Sequence, residues 1–425
     1  MNSFWRIFSL EVVAFARSKS LALLLAASAA WMFAAPFLFR GDGTAEGARQ
    51  LAVHYSIGGV AALLAVSLIA SATGSVARER AERRLQLTLV RPVRYTAVAL
   101  AKIAALVSVG AAVLGAAVLV EAARRPLSRP CRHLLSPVMQ SPRDEALEMY
   151  DAYMKDPETS DAVRKAKKSV VLRLLAQRSF DRYETVLTNG TGRWTFALPE
   201  GGYDADGASV RFRFAGTCGM RQDVLGELSL DAGGLSMRGA VSNITQAVVE
   251  IPLSLSKSGE SGDAGTLEFF NGGKSAVMLR PRRDVSLLLP ADGFGWNLLR
   301  AYLELVAMLA LLVSFGVFLG ASLSRPVALF TAVVALAVGE MSPSVVEQYP
   351  DELEKDPVDA IGLCITRAAA EATHPVSSLE PLAKLAEDVC IEPREVVRVL
   401  LADILLAPLI FALLSSLVLP RKTAD

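Results

Sequence analysis

Residues 76–102 read VARERAERRLQLTLVRPVRYTAVALAK. Their polar part sits between two apolar runs, 51–74 and 97–120, each long enough to cross a bilayer as a helix. The stretch therefore reads as a short loop joining two membrane spans. It carries Arg78, Arg80, Arg83, Arg84, Arg91 and Arg94, and an excess of Arg and Lys in a short loop marks the cytoplasmic side. Leu85, Leu87 and Leu89 follow a charged helical turn, and Pro92 stops the pattern before the next span. The result is an amphipathic cytoplasmic knob at 76–95, tied at both ends to a span and suited to docking a partner.

The composition agrees with a chain that lies partly in lipid and partly in water. Hydrophobic residues make up 52% of the chain and charged residues 20%, with a mean hydropathy of +0.38, so long apolar runs must alternate with sizeable polar stretches. The formal net charge of +1 gives no basic face for nucleic acid.

Upstream, residues 1–19 form an aromatic-rich helix in which Phe4, Trp5, Ile7, Phe8, Val12 and Phe15 oppose Arg6, Ser9, Glu11 and Arg17. Such a helix lies in the membrane interface plane. The following run, Leu21–Phe39, is long for the apolar region of a signal peptide and reads as a span instead. Spans one to three fall at 20–39, 51–74 and 97–120, together the segment 20–120.

Downstream, residues 121–295 form an extracytoplasmic α+β domain. Its first part, 121–188, shows helical spacing of apolar residues in DEALEMYDAYMKD and DAVRKAKKSVVLRLLAQ. In its second part, 189–295, the period changes to two, in short runs parted by Gly, Asp and Asn. About seven strands are expected there, forming a small β-sandwich with the helices beside it, and Asn271-Gly272 is expected to turn a hairpin. Spans four and five occupy 296–340, a helical hairpin at 341–395 returns outside, and span six with a cytoplasmic tail completes 396–425. The expected fold is thus a polytopic α-helical protein of six spans with both termini in the cytoplasm.

Cys131, Cys218, Cys364 and Cys390 all fall in segments assigned to the outside, where disulfides persist. Cys364 with Cys390 could staple the helical hairpin, and Cys131 with Cys218 could tie the two parts of the ectodomain. Four free thiols are the alternative, since four cysteines allow three pairings. Cys131-Arg132-His133 makes a poor metal site, because two ligands one residue apart lack a second cluster. No catalytic pattern accompanies His54, His133 and His374. Gly272-Gly273-Lys274-Ser275 resembles the tail of a phosphate-binding loop, but Glu268 stands where that loop needs its first glycine. The chain therefore reads as no enzyme by itself, binding neither metal nor ATP directly.

Ionisable residues within spans are functional candidates. Arg300 and Glu304 lie four apart on one face of span four and can pair. Asp403 lies in span six, where it could line a substrate path or pair with Arg300 or Arg398. Gly316 and Gly320 form a small-residue face for helix packing, either within the chain or across a dimer.

The N-terminal helix with Glu11 and Arg17, the six spans, and a first loop carrying Glu79, Arg80, Glu82, Leu85, Gln86, Leu87, Leu89, Pro92 and Lys102 together resemble the permease subunits of type-2 ABC exporters. Where that family carries a Gly-Thr-Leu-Glu run, this chain has Arg83-Arg84-Leu85-Gln86. The resemblance implies an inner-membrane protein that couples to a separate cytoplasmic ATPase, receives ATP energy through it, and pairs with a second permease chain, identical or related. It implies export of a substrate, for which few intramembrane charges favour a lipid-like or amphipathic molecule. A non-transporting membrane scaffold or sensor, with the ectodomain binding an envelope partner, is the competing expectation.

Overall fold

The computed structural model describes residues 3–39, 45–82, 94–124, 130–156, 168–180, 182–198, 208–216, 223–232, 235–244, 248–258, 264–335 and 380–423. The chain divides into two units: a helical one within 1–129, 293–344 and 365–425, and a sheet-containing one within 130–292 and 345–364.

In the helical unit, α1 (Ser3–Ala16) ends at a break where Ser18 caps α2 (Lys19–Leu38), its hydroxyl accepting from Leu21 N at 3.2 Å. There follow α3 (Ala45–Ala81), α4 (Tyr95–Ala123), α7 (Phe294–Ser322), α8 (Arg325–Ala335), α9 (Glu380–Ala386), α10 (Pro393–Val399), a π-helical stretch (Leu400–Leu406) and α11 (Ala407–Thr423). Labels α5 and α6 belong to the other unit. Among the described residues, five helices are long and apolar enough to cross a membrane: α2, α3 from Val53, α4, α7 and Pro393–Val418. This is the pattern of a membrane-embedded protein. Expected span five is represented by α8, which is described over only eleven residues, too few to count as a crossing.

Helix α7 is the most enclosed of the five, and α2 and the last are the least. What allows this is the face formed by Gly316 and Gly320. A Cβ on Gly320 would lie 2.5 Å from the Thr73 carbonyl oxygen, and one on Gly316 would lie 2.9 Å from Ala72 Cβ. The two backbones thus touch because no side chain intervenes. Of the two uses expected for this face, the described residues display packing within the chain.

The opposite end of α7 is held by the short α9 segment. Leu382, Leu385, Ile391 and Val396 join the apolar core that contains Val53, Phe294 and Leu298. Of the hairpin expected at 341–395, this second helix is described, and the first lies outside the described residues.

The sheet unit begins with a departure from the expected helical stretch at 121–188, since Pro130–Leu135 is strand β1 and Glu184–Val186 is β2. Between them stand α5 (Pro142–Lys155) and α6 (Lys168–Phe180), paired through Ala146, Val171, Leu172 and Leu175. The remaining strands are β3 (Thr191–Ala197), β4 (Ser209–Arg213), β5 (Ala215–Gly216), β6 (Asp223–Ala232), β7 (Leu235–Ile244), β8 (Val248–Pro252), β9 (Ser254–Ser258), β10 (Ala264–Asn271), β11 (Val277–Leu279) and β12 (Val285–Gly293). Among the described residues they form three sheets, ordered β1-β12-β4-β8, β3-β10-β6-β7-β9 and β2-β11-β5. One apolar core draws on all three, centred on Phe196, Phe212, Phe214 and Phe269, all fully buried.

The Asn271-Gly272 turn is not a hairpin. Strand β10 pairs with β3 and β6, whereas β11 pairs with β2 and β5, so the turn carries the chain from one sheet to another. The buried Asn271 side chain organises that crossing. Its amide reaches the carbonyls of Val186 at 3.1 Å, Leu187 at 3.3 Å and Ser275 at 3.0 Å, and its oxygen accepts from Gly273 N at 3.1 Å.

Candidate functional site

The expected coupling loop at 76–95 is helical in its first part. Residues 75–81 contain good helix formers and no breaker, and Arg78 Nε donates to Glu82 Oε1 at 2.8 Å, an i,i+4 pair that supports the last turn. Glu79 and Arg80 are therefore carried on α3 and do not lie in a free loop, and Glu82 follows in the adjoining turn. Arg83, Arg84, Leu85, Leu87, Arg91 and Pro92 lie outside the described residues.

Three elements meet at this end of the bundle through Lys102. Its side chain is 3% exposed, and its ammonium donates to Glu79 Oε1 on α3 at 2.7 Å and to Glu11 Oε1 on α1. A buried ammonium is tolerated only when its charge and protons are met. Here one carboxylate comes from the helix that ends at the 82–94 connection, and the other comes from α1. Helix α1 itself packs on α4 with Glu11 inward, while Trp5 is more than half exposed and stacks edge-on against Phe4 and Phe8. Arg6 on the same helix and Arg17 just after it are exposed.

Arg80 extends the connection to a fourth element. Its Nη1 donates to Ala321 O at 2.7 Å and its Nη2 to Leu323 O at 2.6 Å, meeting carbonyls that the end of α7 leaves without helical partners. The charge of the guanidinium also complements the negative end of the helix dipole. Residues 79 and 80 thus bind α3 to α4 and α7, and through Lys102 to α1.

The other candidates lie apart from this cluster. Arg300 Nη1 donates to Ile391 O at 3.2 Å, and beside it Asn297 holds the same segment, donating to Val389 O at 2.7 Å and accepting from Ile391 N at 2.8 Å. Glu304 is buried one turn further along α7. Asp403 is buried in the π-helical stretch, and its Oδ2 has no hydrogen-bond partner among the described residues. Cys131 and Cys390 are each disulfide-bonded, and the other two cysteines, Cys218 and Cys364, lie outside the described residues. No group of three or more His, Cys, Asp or Glu among the described residues could hold a metal.

The sequence does not single out Asn297, and marks Asn271 only as a turn residue. Lys102 appeared there only as the end of a motif, although a lysine two turns into an apolar span already asks for a buried partner. Compared with models of known protein families and with curated proteins, the sequence matches none.

Proposed function

We propose that this chain is the membrane-spanning permease subunit of an ABC exporter, driven by a separate cytoplasmic ATPase docked on the 76–95 region and on α1. The observation that carries the reading is the Glu11–Lys102–Glu79 cluster with Arg80 on the end of α7. A push delivered at the connection after Ala81 reaches four helices through buried or charge-assisted contacts, which is what coupling to an external motor requires. In this reading the 82–94 connection faces the cytoplasm of an inner membrane, both termini lie there, and six spans are completed by α8 and the chain beyond it. A second permease chain, identical or related, completes the transporter. ATP acts through the partner, and the cargo is a lipid-like or amphipathic molecule, since few charges lie within the spans.

The test is co-purification of the tagged chain from membranes in mild detergent, beside a variant with Arg83→Glu, Arg84→Glu and Leu87→Asp. An ATPase subunit bound to the wild type and lost from the variant supports the reading. Recovery of envelope proteins only, unchanged by the variant, replaces it with the scaffold reading, in which the sheet unit is the binding part.

A further inference from the structure

A second feature of the same end of the bundle points to a lipid. Between the last turn of α3 and the start of α8 lies an open cleft of about 760 Å³, lined by Arg78, Arg80, Glu82, Ser324, Arg325 and Pro326 among others. We propose that this cleft binds the phosphate headgroup of an anionic phospholipid, with Arg325 as its principal donor and the acyl chains lying along α8.

The charges in the cleft are unequally committed. Arg78 is paired with Glu82, and Arg80 is held by the Ala321 and Leu323 carbonyls. Arg325 is exposed and has no hydrogen bond or ion pair among the described residues. It is nonetheless positioned, because its side chain lies over Gly74, where a Cβ would come within 3.5 Å of Nε. Among the described residues lining the cleft three guanidiniums face one carboxylate, a balance that favours an anion, and the planar donor fork of Arg325 matches phosphate oxygens.

The surroundings select a phospholipid over a soluble phosphate. The cleft lies at the terminal turn of a helix long and apolar enough to cross a membrane, and the ends of such helices meet the headgroup region. From Arg325 the chain continues as an apolar helix whose Val327, Phe330, Val333 and Val334 are exposed, Phe330 at 70%. Residues 327, 330 and 334 recur on one face, giving a strip along which acyl chains can run from a headgroup in the cleft. Basic pockets between helix ends recognise anionic headgroups in this way.

The experiment is native mass spectrometry of the full chain released from nanodiscs of mixed phosphatidylethanolamine and phosphatidylglycerol. The wild type is expected to retain one phosphatidylglycerol. Arg325→Ala should lower that retention about tenfold, the loss of one or two charge-assisted hydrogen bonds, and Arg325→Lys should be intermediate. Phe330→Ser, with the guanidinium intact, should also weaken retention, because the acyl chains lie along α8. Equal retention by the wild type and Arg325→Ala, both monodisperse, overturns the proposal. So does displacement of the lipid by glycerol 3-phosphate or inorganic phosphate at matched concentration, which would make the cleft a site for a soluble anion.

Discussion

The ammonium of Lys102, two turns into the apolar helix α4, lies 2.7 Å from Glu79 Oε1 at the far end of α3. With Glu11 as second acceptor, the pair fixes three helices at a point where none of them is held by a short covalent turn. Two carboxylates share one buried cation, so the energetics of the cluster are those of an asymmetric ion triad and not of a simple bridge.

Removing the cation is expected to cost more than removing the whole triad. Lys102→Met leaves Glu11 and Glu79 facing each other, and since their side chains remain 23% and 31% exposed, water relieves part of the penalty. A loss of about 1–3 kcal/mol is expected, below the range for breaking a fully buried pair. Adding Glu11→Gln and Glu79→Gln to Lys102→Met should recover most of it. Thermal unfolding of the purified full chain in micelles measures both, and an unchanged midpoint for the single variant would show that the cluster does not hold the helices.

The close approach of α7 to α3 makes a position-specific prediction. Gly320→Ala places a methyl 2.5 Å from a backbone oxygen, which cannot rotate away, so the helices must separate. A cost of about 1–3 kcal/mol is expected. Gly316→Ala, which meets a side-chain methyl at 2.9 Å, should cost less. Gly293→Ala, at the start of the same helix with nothing within 4 Å of the added Cβ, should be neutral. Membrane expression and monodispersity of the three variants rank them. A tolerated Gly320→Ala beside a damaging Gly293→Ala would contradict this packing.

In the sheet unit, Asn271 is expected to be the least replaceable polar residue. Asn271→Ala strands carbonyls of Val186, Leu187 and Ser275 that the amide now reaches, at a cost of about 2–4 kcal/mol. Asn271→Asp keeps the shape but turns an acceptor toward those carbonyls, so it should be no better than alanine. Proteolysis of the intact chain in liposomes, followed at the β10–β11 crossing, reports the difference. An aspartate variant as resistant as the wild type would show that shape alone holds the turn.

What could be read from the sequence follows from the range of the forces involved. Apolar length decides the spans locally, so α2, α4 and α7 fall close to the runs that announce them. Charge density after residue 75 suggests a loop, whereas α3 continues to Ala81. Yet Arg78 and Glu82, four apart, stabilise a helix, and nothing breaks it before residue 82. Strand β7, LSMRGAVSNI, was hidden because Gly, Arg, Ser and Asn dilute its alternation. It is held by pairing with β6 along its whole length, a tertiary effect that propensity does not contain. Lys102 was legible as an intramembrane charge. Which carboxylates it meets, 23 and 91 residues away, depends on how three helices cross. Asn297 gave no signal, since an asparagine at a span end is ordinary until its partners at 389 and 391 are known.

Those partners give the last prediction. Asn297 bonds the backbone on both sides of Cys390, which is buried and disulfide-bonded, and Arg300 adds a third contact at Ile391. Reduction requires a reagent to reach the sulfur, so its rate follows the local opening of this segment away from α7. Asn297→Ala removes two hydrogen bonds from the closed state and should raise the reduction rate about tenfold. Arg300→Gln, which removes one contact of 3.2 Å, should have a smaller effect. Alkylation of the Cys390 peptide over time, after addition of a membrane-impermeant phosphine to the reconstituted chain, gives the rates. If the wild type and Asn297→Ala react alike, the asparagine clamp does not control the segment, and its hold must come from the apolar contacts of Leu382, Leu385 and Ile391 alone.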